Sequence, residues 1–450
     1  MSIGARILGG AAVLLLAATA HAFVSGSGTV SPTVRRVSIL ETPPDAAEDE
    51  ALEPNTLSEE AQRIKAGLTK PIAPTNLTIE DGEASVRRQA GPAPSAPSLG
   101  TNVQGIDYTG SYPPDGGLAA GPLYLVQATN GAVAYYTKDG TRVFQTGLSA
   151  FLGTSGAFDP RVLYDQGSGR FIVLAANGAG NPSGSNFLLS ISSSSDPRDG
   201  FCTYTFGAEN PSGTWADYPT LGVSETAIFF GSNQFNSGFV TNKMFWINKS
   251  QVLTCGSASY HWVTGLSQCG GGDAFTVQPA QVFGSANNAG FLAATSGSGS
   301  ITIWRVTDMF NTDQVQSGCV SVGSFSSPPD APQPGGGVGL DTGDTRLLNL
   351  IYRNNHLYTA HNGAGFSCPG GSCSAIFYNE LDVTNFPSAG VVQDFNFGSN
   401  NFFYMYPGIS VDASNQVSVG FTRTSQTNNE FASARYTGRT NSDPVNTFQR

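Results

Sequence analysis

The sequence predicts an all-β protein: a β-propeller of six blades, with seven as the next count, each blade holding four short antiparallel strands. Three observations predict it. Six segments share one pattern: YPPDGGLAAGPLYLVQATNG, FDPRVLYDQGSGRFIVLAAN, DYPTLGVSETAIFFGSNQF, VQPAQVFGSANNAGFLAATS, RLLNLIYRNNHLYTAHNG and MYPGISVDASNQVSVGFTRT. Each opens on a turn-like residue, usually proline, then runs through alternating apolar residues, a Gly/Asn/Asp/Ser turn and a second apolar strand. The anchors Pro114, Pro160, Pro219, Pro279, Leu348 and Pro407 lie 46, 59, 60, 69 and 59 residues apart. A recurring unit of this size that reads as a hairpin plus further strands is the signature of a propeller. Composition agrees: 12% charged residues, 55 Gly and 26 Pro disfavour helices and suit short strands joined by turns.

Residues 1–22 read as a secretory signal. Arg6 is the positive start, ILGGAAVLLLAATA the apolar stretch, and Ala20-His21-Ala22 a small-x-small cleavage site. The run is short for a bilayer span, so cleavage is expected rather than anchoring, and no other run is long and apolar enough to cross a membrane. Residues 23–100 show no strand pattern. ETPPDAAEDEALEP is acidic and Pro/Ala-rich and reads as disordered, LSEEAQRIKAGL fits a short helix, and RRQAGPAPSAPSLG reads as a linker. The repeats occupy 101–450. After Pro407 only 43 residues remain, fewer than most intervals. The last blade therefore either borrows a strand from the segment before Pro114, which would close the ring and remove its edges, or is cut short.

A net charge of −11 and a pI near 4.8 exclude a nucleic-acid partner, because no basic stripe exists to neutralise phosphates. Six cysteines in an exported chain favour disulfides over zinc, since no CxxC pair is present and His261, His356 and His361 form no ligand pattern. Of fifteen pairings, Cys368–Cys373 is expected across the PGGS turn. Cys255–Cys269 would close a loop within one blade, which leaves Cys202–Cys319 by elimination.

The ordered motifs PPDGGLAAGPLYLVQATNG, FDPRVLYDQGSGRFIV, DYPTLGV, QPAQVF, DTGDTRLLNLIYRNNHLYTAH and YPGISVDASNQVSVGF resemble a family of secreted, mostly bacterial, functionally uncharacterised β-propeller-like proteins. The resemblance covers about residues 105–440. It implies a propeller and an extracellular or cell-surface location, and it implies no reaction.

The innermost strand of each blade lines a propeller's axis, so polar residues beside the anchors should converge there. Asp115, Asp159, Arg161, Asp217, Gln281, Asp344, Arg346 and Asn349 are the candidates. Four carboxylates and two arginines in one channel would suit a small polar ligand or a hard cation such as Ca²⁺. The bland reading is that each aspartate caps its own turn and that Asp–Arg pairs hold blades together. The turns TKDGTR, YDQGSGRF and VDASNQV resemble the structural Asp-box hairpins of sialidase-type propellers. Arg161, Arg346, Arg423, Arg435, Asp115 and Tyr406 could be drawn into a sialidase site, although their spacing does not demand it. No nucleophile elbow, H-E-x-x-H, P-loop or dinucleotide fingerprint is present, and no catalytic residue is assigned. YHWV, NFFYMY and Trp215 could stack on sugars, although core packing is the commoner fate of such aromatics.

The leading functional expectation is a secreted, monomeric, non-catalytic binding or scaffold protein that recognises a carbohydrate or protein ligand. The alternatives are a sialidase-like glycan hydrolase and a purely structural surface protein.

Overall fold

The computed structural model describes residues 24–35, 102–209 and 213–449. The expected signal, and the acidic and linker stretches over 36–101, lie outside these residues. Among the described residues regular structure is almost entirely antiparallel β. The chain runs through successive meanders in which each strand pairs with the next.

Two strands come first: β1 (Val24–Val30) and β2 (Thr33–Arg35). The first meander is β3 (Gly116–Ala120), β4 (Tyr124–Thr129), β5 (Ala132–Thr137) and β6 (Arg142–Gly147), followed by the one-turn helix α1 (Leu148–Leu152). The second is β7 (Phe158–Asp165), β8 (Arg170–Asn177), β9 (Asn186–Ser192) and β10 (Phe201–Gly207). The third is β11 (Trp215–Val223), β12 (Ala227–Phe235) and β13 (Phe239–Asn248), then α2 (Lys249–Val252) and β14 (Ala258–Thr264). The fourth is β15 (Gln278–Phe283), β16 (Gly290–Ser296), β17 (Ser300–Thr307) and β18 (Gln314–Ser321). Then follow β19 (Leu347–Arg353), β20 (His356–Cys368), β21 (Gly371–Asp382) and β22 (Gly390–Phe397), and lastly β23 (Phe403–Val411), β24 (Val417–Ser425) and β25 (Glu430–Arg439). All six anchors lie in, or directly before, the first strand of a meander. Among the described residues, 102–115 contain no strand and so add none to the last meander.

Hydrophobic clusters fill the gaps between consecutive meanders. Val126, Tyr135, Phe171 and Leu188 join the first to the second. Leu174, Phe187, Phe230 and Phe245 join the second to the third. Further clusters continue this from β13 to β17, from β16 to β20 and from β20 to β24. A middle strand therefore buries both faces, and so β12 is buried along its whole length rather than alternating. The first strands of the third, fourth and fifth meanders lie side by side and run in the same direction. β15 and β19 pair in parallel from Ala280↔Leu350 to Phe283↔Arg353, and β11 meets β15 in parallel at Val223↔Gln281. Their N-terminal ends thus gather on one side and their C-terminal ends on the other.

Turn chemistry matches the sequence. Asn354 and Asn355 take φ of 52° and 63° in the two-residue β19–β20 turn, the conformation a type I′ hairpin requires. Asp139, Asp165 and Asp412 each accept backbone N–H groups of their own turns, so the Asp-box-like segments are structural.

Three disulfides form: Cys202–Cys255, Cys269–Cys319 and Cys368–Cys373. The short pairing agrees with the sequence; the other two correct it. Cys202 lies in β10 and Cys255 just after α2, on facing outer edges of adjacent meanders. Cys269 follows β14 and reaches β18. The bridges staple neighbouring units at their rims rather than closing loops within one. The pairings fit an oxidising compartment, and among the described residues no helix is long and apolar enough to cross a membrane.

β1 and β2 fall inside the 23–100 stretch in which the sequence showed no strand pattern. β1 pairs along all seven residues with β14, and β2 with β10, so this segment adds an outermost strand to two meanders. A Cβ on Gly26 would lie 2.6 Å from the Trp262 ring, and one on Gly28 would lie 2.7 Å from the Tyr260 hydroxyl. Glycine at alternate positions lets the strand lie flat on those rings, and backbone pairing to an existing edge replaces the apolar alternation a strand normally shows.

Candidate functional site at the mouth of the first strands

A recurring backbone distortion marks the N-terminal side of the first strands. Asp159, Tyr218 and Tyr406 have φ of 53°, 56° and 53°, and each precedes an anchor proline. The ladder slips at these points, between Phe158 and Arg161, Asp217 and Thr220, and Met405 and Gly408. The left-handed region is uncommon for non-glycine residues, and a following proline restricts its neighbour further. Each such residue costs about 1–3 kcal/mol and persists only where its surroundings enforce it. Proline, which has no N–H, forfeits no ladder bond at the bulge.

Buried asparagines from the preceding meander enforce it. The Asn130 side-chain oxygen accepts the Asp159 N–H at 2.6 Å, and Asn362 accepts the Tyr406 N–H at 3.1 Å. Asn233 holds the N–H of Thr276, another left-handed residue, at 2.7 Å. The same amides donate onward: Asn130 to the Pro113 carbonyl at 3.0 Å, Asn362 to the Thr342 carbonyl. These asparagines sit at equivalent places in the repeated segments (TNG, SNQ, HNG), so the sequence carries the device in plain view.

The mouth is a charged and aromatic surface. Arg346 donates to both Asp344 oxygens at 2.5–2.9 Å. Its guanidinium lies 4.1 Å from the centre of the Tyr218 ring and 4.8 Å from that of Phe275. Arg161 covers the same tyrosine at 4.7 Å. Burial opposes the Arg346 charge, but the bonds to Asp344, with Tyr218 and Asp217 near by, hold its pKa above the ordinary arginine value. Burial likewise opposes the Asp344 carboxylate, and Arg346 more than offsets it, so that its pKa is lowered. Tyr406 is 46% exposed, and its hydroxyl donates to the Asp341 carbonyl at 3.1 Å. Desolvation, then the charges of Asp341 and Asp115, push its phenol pKa up. Gly343, at φ 78°, lets the 341–346 loop lie against this ring, since a Cβ there would sit 3.2 Å from it.

The candidates from the sequence divide into two groups. Asp115, Asp217, Asp344, Arg346 and Arg161 come together around Tyr218 and Tyr406. Asp159 is fully buried under the bulge. Arg161, Gln281 and Asn349 donate to the carbonyls of Pro219, Tyr164 and Ile409 at 2.8–2.9 Å, which makes them struts between first strands. The shared cation centre expected from four aspartates is not seen: among the described residues no three His, Cys, Asp or Glu side chains group as metal ligands. Arg346 occupies Asp344, and burial of Asp159 separates it from the open mouth. The sialidase-like set does not assemble either. Arg423 and Arg435 pair with Glu430 at 2.7 and 3.3 Å in the outer strands β24 and β25. Trp215 packs on Phe235 in the core, and Trp262 lies under β1. Sequence reading passed over Tyr218, Phe275 and Asp341. The first stands directly before an anchor proline, as Tyr406 does, and that position was the available signal. Phe275 and Asp341 lie in connections that share no repeat.

No family model and no curated protein matches the chain. Among solved structures it is similar to a subtype N10 neuraminidase-like protein of A/little yellow-shouldered bat/Guatemala/060/2010, at 11% identity and a TM-score of 0.40, covering 72% of this chain and 93% of that one. It is similar to an α-L-arabinanase of Cellvibrio cellulosa at 9% identity and a TM-score of 0.33, covering 72% and 90%. It is also similar to an exo-β-1,3-galactanase of Phanerochaete chrysosporium at 12% identity and a TM-score of 0.34, covering 71% and 77%. These structures are named as glycan-cleaving enzymes or as neuraminidase-like, so the comparisons lend nothing to the expected non-catalytic binding or scaffold protein. None is close enough to transfer a residue role.

Proposed function

We propose that the chain is a secreted six-bladed β-propeller acting as a glycan hydrolase, with its site at the mouth formed by the first strands. One observation carries the reading. The half-exposed Tyr406 of the last meander donates its hydroxyl to the Asp341 carbonyl at 3.1 Å, which sets the connection before β19 against the ring, and desolvation, then the charges of Asp341 and Asp115, raise its pKa. Glycoside cleavage needs two carboxylates flanking one bond, and an aromatic ring beside them offers a face for a sugar. The Tyr406 phenol donates a hydrogen bond, and its raised pKa opposes the phenolate that a nucleophilic role would need. Asp115 and Asp341 are the acid–base pair. The Arg346–Tyr218–Phe275 stack is a fixed wall, and Asn362 positions Tyr406. Three disulfides and the expected signal support an extracellular setting.

A panel of aryl glycosides tests this. Turnover of at least one member is expected, with Asp115→Asn and Asp341→Asn each lowering kcat/KM by about 100-fold or more, as for loss of a general acid or base. Tyr406→Phe should lower it about tenfold, the worth of one hydrogen bond. Turnover of no glycoside, or full activity in both aspartate variants, refutes the assignment.

A further inference from the structure

A second cavity, of about 580 Å³, opens at the opposite end of the first strands. Phe283 and Arg353 close β15 and β19 there, and Val411 closes β23. β19 separates this cavity from Arg346 by seven residues, about 23 Å of extended chain, so it is distinct from the mouth.

The decisive residue is Arg353. Its guanidinium lies over the Phe283 ring at 4.8 Å, and its Nε is buried without a hydrogen-bond partner. No ion pair among the described residues involves it, as is also true of Arg142, Arg161, Arg170, Arg305 and Arg439, whereas Arg198, Arg346, Arg423 and Arg435 have carboxylate partners. The nearest acidic wall residue, Asp412, is engaged by its own turn, accepting the N–H groups of Ser414 and Gln416 at 2.8 Å. Arg439, the second cation of the lining, donates to Gln393 and to the Asp443 and Pro444 carbonyls. The remaining polar wall is neutral: Gln166, Gln416, Ser410, Ser418, Thr440 and Gln449. The cavity therefore presents a guanidinium that is outside any ion pair among the described residues, with its Nε closed to solvent, backed by an aromatic ring, acted on by the Asp412 charge and surrounded by amides and hydroxyls. A planar carboxylate matches the fork in two-point geometry, and the neutral rim matches hydroxyl groups.

We propose that this cavity binds a small polyhydroxylated carboxylate, an acidic sugar, through Arg353. The site does not depend on hydrolysis at the opposite mouth. Titration calorimetry with glucuronate, glucose and inorganic phosphate tests it, using the intact protein, Arg353→Gln and Tyr406→Phe. Glucuronate is expected to bind, glucose to bind at least tenfold more weakly, and phosphate to bind more weakly than glucuronate. Arg353→Gln should weaken glucuronate at least tenfold with an unchanged melting temperature, and Tyr406→Phe should leave it unaltered. Should Arg353→Gln fail to fold, Phe283→Leu, which removes the ring beneath the guanidinium, should weaken glucuronate severalfold. Glucuronate affinity unchanged in the arginine variant overturns the proposal. So does glucose or phosphate binding as tightly as glucuronate, loss of binding in Tyr406→Phe, or no glucuronate binding at all.

Discussion

His361 should make this protein lose stability on mild acidification, by an amount its surroundings set. The ring is 1% exposed in β20, between Phe325 at 4.8 Å and Phe377 at 5.2 Å. Its Nδ1 donates to the Asn362 carbonyl at 2.8 Å, and its Nε2 is buried with no partner. Burial lowers its pKa from 6.5 to about 4; the Asn362 carbonyl and Asp344 only partly oppose this. The folded state thus resists protonation that the unfolded chain accepts. The stabilisation is complete above pH 6.5 and disappears as pH falls towards 4. Its full size is about 3 kcal/mol, of which about 2 kcal/mol is lost between pH 7 and 5. His356 works in the opposite sense, since its hydrogen bond to Glu380 raises its pKa. Comparing variants that keep His356 cancels that contribution. Urea unfolding at pH 7 and pH 5 should show a loss about 2 kcal/mol smaller in His361→Gln than in the native protein, whatever the variant's absolute stability. His361→Asn is the second variant. An equal loss in both proteins, or a His361 titration near 6.5 by NMR, refutes the reasoning.

The rim disulfides should outweigh the hairpin one. Cys202–Cys255 spans 53 residues and Cys368–Cys373 spans 5, so their removal should cost about 4 and about 2 kcal/mol on loop-closure grounds. Urea unfolding of the paired alanine variants decides the order. Asn242 is fully buried and makes three bonds of 2.9–3.0 Å, to the Leu266 N–H and to the Leu266 and Ala274 carbonyls. Asn242→Ala leaves the Leu266 N–H and the Ala274 carbonyl without this partner, while the Leu266 carbonyl keeps the Ala274 N–H at 2.8 Å; it should destabilise by about 2–4 kcal/mol, and Asn242→Asp should not rescue it, because its carboxylate would face the two carbonyls. Gly26→Val should dislodge β1 from the Trp262 ring, seen as faster proteolysis before residue 36 and a red-shifted tryptophan emission; native-like protection would show that the strand tolerates the side chain.

The sequence alone determined the repeating unit. Proline anchors, hairpin turns and apolar runs are local properties, and they placed every first strand and the Asp-centred turns. The TNG, SNQ and HNG asparagines were visible as well, but their role was not. Each acts on a residue 29 to 44 positions later, and only the packing of one meander on the next brings the two together. The same reason explains the cysteines. Proximity in sequence paired Cys368 with Cys373, while Cys202 and Cys269 found partners across a rim that no local pattern describes. β1 carries no apolar alternation because an existing edge and two aromatic rings define it. The mouth itself is a tertiary product. Asp115, Tyr218, Asp341, Arg346 and Tyr406 span nearly 300 residues of chain, and the common direction of the first strands gathers them at one end while leaving Arg353 at the other.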